Sequence, residues 1–345
     1  MAARKPFTPL AWVGSITAIF SLIAGIYAGW AFLSGQLERR RATDRLLADE
    51  ALQLHASDYE SAWRTLAQAA TVGGSSARVQ QAQEDVAMMW LDNIRISGGQ
   101  TFTSITERLA PILTSGAASA KSPQRQADLL AHLGWSYFLR NRETPAGPDP
   151  EPAYREALQK DPANPYAHAM WGHWILWNHG DAAKASEHFA AALATPRPGL
   201  HSYVRSMQLS ALNNDDTTAG RVEILRVVND IRKEHGDLDP HWPHDILNMY
   251  WAHIVPPDED KAAFLSAVPP LDHLDTFDWL LRRAGPGEPD ALTHDYIRSA
   301  LLEAAGRRAA ALAGYRAVQS RFGPNSGGTL VDGTRRAIVR LTATR

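Results

Sequence analysis

Two consecutive stretches of this chain spell the same pattern. A large apolar residue is followed by a small one, then a break, then small and aromatic residues at helical spacing, then proline. The first runs from "LLAHLGWSYF", with Leu130, Leu133, Gly134 and Tyr137, to "AYREALQKDPANP", with Tyr154, Ala157, Leu158 and Pro162. The second, "AHAMWGHWILWNHGDAAKASEHFAAAL", carries Trp171, Gly172, Gly180, Ala185, Phe189, Ala192 and Leu193. A helix pair of this kind has an apolar face that it cannot bury alone, so neighbouring pairs stack and share a core. Such a repeat constrains the whole architecture, not one site.

The remainder reads as helix too. Alanine is abundant and β-branched runs are scarce after residue 36, which points to an all-α protein. Residues 36–126 form a helical region with a degenerate repeat at Leu46–Ala70, where Ala62 and Leu66 hold the second-helix positions. In "SITERLAPILTSG", Ile105, Leu109, Ile112 and Leu113 share one helical face. The stretches "GAASAKSP" and "RETPAGPDPEP" have the composition of linkers. Residues 195–345 are repeat-like, with a clearer unit at 292–325 that places Gly306, Ala311, Tyr315 and Pro324 in matching positions.

Ahead of all this, a short tail at 1–8 precedes an apolar stretch, and no charged residue occurs from Pro6 to Leu37. Residues 9–33 are expected to form one transmembrane helix, since about 20 apolar residues span a bilayer core. Trp12 and Trp30 stand about 27 Å apart on such a helix and suit the two membrane interfaces. Ser21, Gly25 and Gly29 repeat every four residues and offer a close-packing seam for a second copy, although glycine is common in membrane helices generally. Lys and Arg are more numerous after the stretch than before it, which favours a cytoplasmic over a periplasmic soluble part.

The paired stretches at 127–194 resemble the tetratricopeptide repeat, a helix–turn–helix unit of about 34 residues. The departures are a longer loop at Arg142–Pro152 and one extra residue before Gly180. The resemblance implies an α–α solenoid whose first helices line a concave, protein-binding groove. The positions that match the groove are Trp135, Phe138 and Leu139 in the first unit and Tyr166, Ala169, His173, Leu176 and Trp177 in the second. A subgroup of the family clamps acidic peptide ends with Lys and Asn. Here Ala131, Trp135, Ala169 and His173 stand at those places, so the resemblance implies an apolar or extended peptide instead.

Other chemistry finds little footing. Formal charge is −2, with 35 basic and 37 acidic side chains, which gives no footprint for nucleic acid. The absence of cysteine excludes disulfides, thiolate metal sites and thiol nucleophiles. His168, His173 and His179 are five and six residues apart and do not share a helical face as a metal pair would. "GDLDPHWPHD" gathers Asp237, Asp239, His241, His244 and Asp245. It reads either as a divalent-metal site or as a helix start at Asp239–Pro240. No phosphate loop, zinc-protease motif, nucleophile elbow or dinucleotide glycine run occurs, so no catalytic residue and no cofactor is expected. The expectation is a membrane-anchored scaffold that binds a protein or peptide. The alternatives are a periplasmic-facing envelope assembly factor and a membrane-bound metal-dependent enzyme.

Overall fold

The computed structural model describes residues 9–73, 76–96, 98–213, 217–255, 261–285, 291–323 and 326–343, with side chains from residue 27 onward. Every regular element among the described residues is helical. The chain divides into two compact units, one ending at Pro150 and the other beginning at Glu151. That boundary lies in the proline-rich stretch between Arg142 and Pro152, inside residues 127–194.

The first unit contains α1 (Pro9–His55), α2 (Tyr59–Gly73), α3 (Ala77–Asp92), α4 (Phe102–Ser119) and α5 (Pro123–Asn141). The helix of α1 does not stop at Leu33. It continues to His55, because Ser34 and Gly35 are flanked by good helix formers and no proline intervenes. The Ser34 hydroxyl donates back to the Ala31 carbonyl at 3.0 Å and keeps its place within the helix. Among the described residues no helix is long and apolar enough to cross a membrane. The side chains of residues 9–26, Ser21 and Gly25 included, lie outside those described, so most of the expected span at 9–33 does too.

α1 turns into α2 over three residues and the two pack as a hairpin. Gly73 makes the close approach, since a Cβ there would meet the Thr43 side chain. α2 runs on through Thr71, Val72 and Gly73. Ala62, Leu66 and Val86 are buried together, with Leu47, Leu54 and Trp63 packed on them. Ile105, Leu109 and Leu113 of α4 are fully buried and Ile112 is half-buried, along the face that the spacing marks. Ser76, Thr101 and Ser122 cap α3, α4 and α5 by accepting backbone N–H groups that a helix start leaves unpaired.

The second unit contains α6 (Glu151–Lys160), α7 (Pro165–His179), α8 (Ala182–Leu193), a 3-10 turn at Pro198–Leu200, α9 (His201–Leu212), α10 (Thr218–Lys233) and α11 (Trp242–Ile254). It continues with α12 (Lys261–Leu265), α13 (Pro270–Ala284), α14 (Ala291–Ala304), α15 (Arg308–Ser320) and α16 (Thr329–Ala343). The α7–α8 pair follows from its sequence. Asn164 caps α7, Pro165 sits at its first turn, and Gly180 ends it with φ 63°. Asp181 then caps α8 at once. Gly172 lets the two helices touch, for a Cβ there would lie 3.2 Å from the Ala185 carbonyl and 3.4 Å from the Phe189 ring. In the unit near the end, Ala311 and Tyr315 are buried and Gly306 takes φ +71° after α14; Pro324 lies outside the described residues. One continuous core joins Leu209, Ile224, Val228, Ile246, Tyr250, Phe277, Ile297 and Tyr315.

Candidate protein-binding site

α7 is the aromatic hub of the second unit. Its residues Tyr166, His173 and Trp177 fall within about 40° of one another around the axis and so form one stripe along the helix. Tyr166 is half-buried and meets Tyr203 of α9 edge-on, with centroids 5.1 Å apart. The Arg197 guanidinium lies over the Tyr166 ring at 5.4 Å. His173 is buried; its Nδ1 donates to the Met207 carbonyl of α9 at 3.1 Å, and Trp177 stacks on its ring at 5.9 Å. Trp177 and Leu176 are half-buried, and Leu176 also rests on the second unit's core. The stripe therefore has a buried centre and two accessible ends.

The other residues of "WGHWILWNHGD" face elsewhere. Trp171 stacks on Tyr154 at 6.3 Å and lies 4.8 Å from the His188 ring. Trp174 is buried and meets His179 edge-on. His168 and His188 approach through their Nδ1 atoms at 3.0 Å, and His168 Nε2 donates to the Pro162 carbonyl at 3.0 Å. Burial lowers the pKa of both imidazoles, and the neighbouring His168 and Lys184 help push His188 to about 4. The three tryptophans thus serve three different contacts, and the histidines are spent on pairing and packing.

In the first unit, Trp135, Phe138 and Leu139 are all buried. Trp135 packs on Phe138 with centroids 4.9 Å apart, and its indole N–H donates to the Leu91 carbonyl of α3 at 3.3 Å. The helical spacing that marks a groove also serves a helix–helix seam, and here α3 lies against α5.

Two clefts carry no signature in the sequence. One, of about 530 Å³, opens in the first unit beside Asp58, Glu60, Trp90, Asn93, Arg95 and Gln100. Its Glu60 receives both Nη atoms of Arg108 at 2.9 Å, which holds the carboxyl below its usual pKa. The Arg108 guanidinium lies over the Trp90 ring at 5.1 Å. The second cleft, of about 250 Å³, is bordered by Asn213, Arg221, Trp242, Asp245, Asn248 and Met249. Each cleft is walled by successive helices and the segments beside them, which only the packing brings together.

The acidic and histidine cluster at Asp237–Asp245 does not converge. Asp237 reaches Arg283 at 3.3 Å, Asp239 accepts from the Ser206 hydroxyl at 3.0 Å, and His241 lies against Trp242. Among the described residues no group of three His, Cys, Asp or Glu is placed to hold a metal ion. Nor does a helix start at Asp239. α11 begins at Trp242, because the Asp239 carbonyl closes a turn onto the Trp242 N–H and Pro243 takes the first-turn position.

No family model matches the chain, and no curated protein matches it. Among solved structures it is similar to a tetratricopeptide repeat protein from Parabacteroides merdae ATCC 43184. The identity is 12%, the TM-score is 0.37, and the match covers 88% of this chain and 100% of that one. At that level the likeness carries no argument about function.

Proposed function

We propose that this chain is a tetratricopeptide-like scaffold that binds a protein or peptide partner and is held at a membrane by residues 9–33. The observation that carries the scaffold reading is the stripe on α7. Its ends, Tyr166 and Trp177, remain accessible, with Leu176 beside Trp177, while His173 fixes the stripe to α9. Aromatic side chains that are already immobilised cost little entropy on binding and dominate the energy of most interfaces. The groove positions Tyr166, Ala169, His173, Leu176 and Trp177 include no Lys or Arg, which suits an apolar or extended peptide better than an acidic one. Trp135, Phe138 and Leu139 are left out of the proposed contact, since their side chains are spent on the first unit's interior.

The anchor reading draws on the uncharged run from Pro6 to Leu37 and on the described part of α1. There Tyr27, Trp30, Phe32 and Leu33 are between 61% and 72% exposed. A helix apolar on all sides belongs in a core or a bilayer. The arginine excess after the run favours a cytoplasmic domain, and reporter fusions at the carboxy terminus separate that orientation from a periplasmic one.

The experiment is affinity capture from detergent-solubilised membranes with full-length protein and with a Tyr166→Ala/Trp177→Ala variant. A discrete partner that binds the first and not the second, with helicity equal by circular dichroism, supports the scaffold. A partner retained by the double variant removes the stripe from the reading.

A further inference from the structure

We propose that Arg39, Arg40, Arg41 and Arg45 form a collar around α1 that binds the anionic headgroups of a phospholipid surface. The inference rests on the anchor reading above and deepens it.

Three observations carry it. At about 100° per residue, the four side chains point at roughly 0°, 100°, 200° and 240° around the helix axis. They fan around the helix, with Thr43 packed against Gly73 of α2 between the Arg39 and Arg40 directions, and do not build one basic face. A protein partner docks on one side of a helix, whereas a membrane surface meets every side that α2 leaves open. Next, all four arginines are exposed and none makes an ion pair among the described residues. Of the two nearby acidic side chains, Asp44 is engaged by Arg78 at 2.8 Å and the exposed Glu38 offsets one charge, so the collar keeps a surplus of positive charge. Lastly, the collar follows the exposed apolar girdle directly. Tyr27, Trp30, Phe32, Leu33 and Leu37 also fan around the axis, and Leu37 is 54% exposed. With the Trp30 indole at the interface, the Cα atoms of the four arginines stand about 14–23 Å further along the axis. Long arginine side chains reach back toward the surface while their stems cover apolar atoms. Guanidinium also pairs phosphate oxygens in a bidentate geometry that an ammonium lacks.

The test uses full-length protein, diluted from detergent into vesicles of phosphatidylcholine alone or of phosphatidylcholine with phosphatidylglycerol, followed by flotation. Each basic residue near an anionic surface strengthens partition about fivefold, so the expected preference for the anionic vesicles is tenfold or more. It should shrink in high salt. It should vanish in the R39Q/R40Q/R41Q/R45Q variant and persist in the variant with lysine at the same four positions. Equal flotation with both vesicle types, unaffected by the glutamine changes, overturns the collar and leaves the anchor standing. Flotation with neither overturns both. A preference for anionic vesicles that survives the glutamine changes assigns the charge effect elsewhere and also overturns the collar.

Discussion

His168 and His188 meet through their Nδ1 atoms at 3.0 Å, a contact with room for one proton and not two. His168 Nε2 donates to the Pro162 carbonyl, so the Nδ1 of neutral His168 is bare and accepts from His188. Acid breaks this arrangement. In the unfolded chain a histidine takes up its proton near pH 6.5, whereas folded His188 holds off until about 4. Stability from the pair is therefore present above pH 6.5 and lost as pH falls from there toward 4. His273, buried beside Tyr250 and Phe264, is lowered to about 4 and adds a change of the same sign. The expected result is a thermal midpoint for the second unit that drops across this window. His188→Gln should make the drop shallower. Equal slopes in wild type and variant would remove the pair as the cause.

His132 in the first unit works in the opposite direction. Its ring is fully buried, which opposes a charge. Yet Asp92 at 3.1 Å and the Asp128 carbonyl at 2.7 Å outweigh that and raise its pKa. A raised histidine contributes stability that is fully present below about pH 6.5 and is lost as pH climbs through the folded value. Asp92→Ala should cost about 3 kcal/mol at pH 6 and distinctly less at pH 8. Denaturant melts at the two pH values, followed by hydrogen exchange within α5, give the comparison. A cost that does not change with pH would show that His132 is neutral throughout.

Gly172 tests the helix pair itself. Glycine inside a helix is unfavourable by about 0.5–1 kcal/mol relative to alanine, so its presence in α7 needs a reason. The Ala185 carbonyl and the His188 Cβ, each 3.2 Å from a Cβ built there, supply it. A backbone carbonyl cannot swing aside as a side chain can. Gly172→Val should destabilise the second unit by about 2–3 kcal/mol through overpacking, visible as a lower denaturant midpoint. A neutral result would mean that α7 and α8 can separate without cost.

The sequence exposes some of this plainly and some not at all. The existence of the helices is legible because apolar period, caps and glycine ends agree locally. Asn164, Pro165, Gly180 and Asp181 mark α7 and the start of α8 within a residue. The start of α11 is less legible, since Asp239–Pro240 and His241–Trp242–Pro243 offer competing signals and a turn decides between them. What cannot be read is which neighbour fills a helical face. Trp135 finds Leu91 across 44 residues and His168 finds His188 across 20, and neither spacing belongs to a local motif. The two clefts are hidden for the same reason: their walls come from different helices.

Trp135 and Trp177 both stand at groove-type positions of two successive pattern units but differ in surroundings, and this separates packing from recognition. Trp135 is 6% exposed, packed at a tilt on Phe138 and tied to the Leu91 carbonyl. Its truncation to alanine leaves a cavity and an unpaired carbonyl, and should cost about 3–5 kcal/mol of stability. Trp177 is half-buried and its ring stacks on His173, so Trp177→Ala should cost less than the Trp135 change, about 1–2 kcal/mol. Partner capture should respond in the reverse order. Once Trp135→Ala is assayed below its own melting transition, it should bind as wild type does, because the proposed contact does not include it. Trp177→Ala should lose at least tenfold in affinity, the size expected for removing an aromatic anchor of about 1.4 kcal/mol or more. Circular dichroism melts and partner titration on the same two variants give both readouts. If Trp177→Ala instead melts early and binds normally, the residue is packing, and recognition must be sought at the cleft beside Arg221 and Asn248.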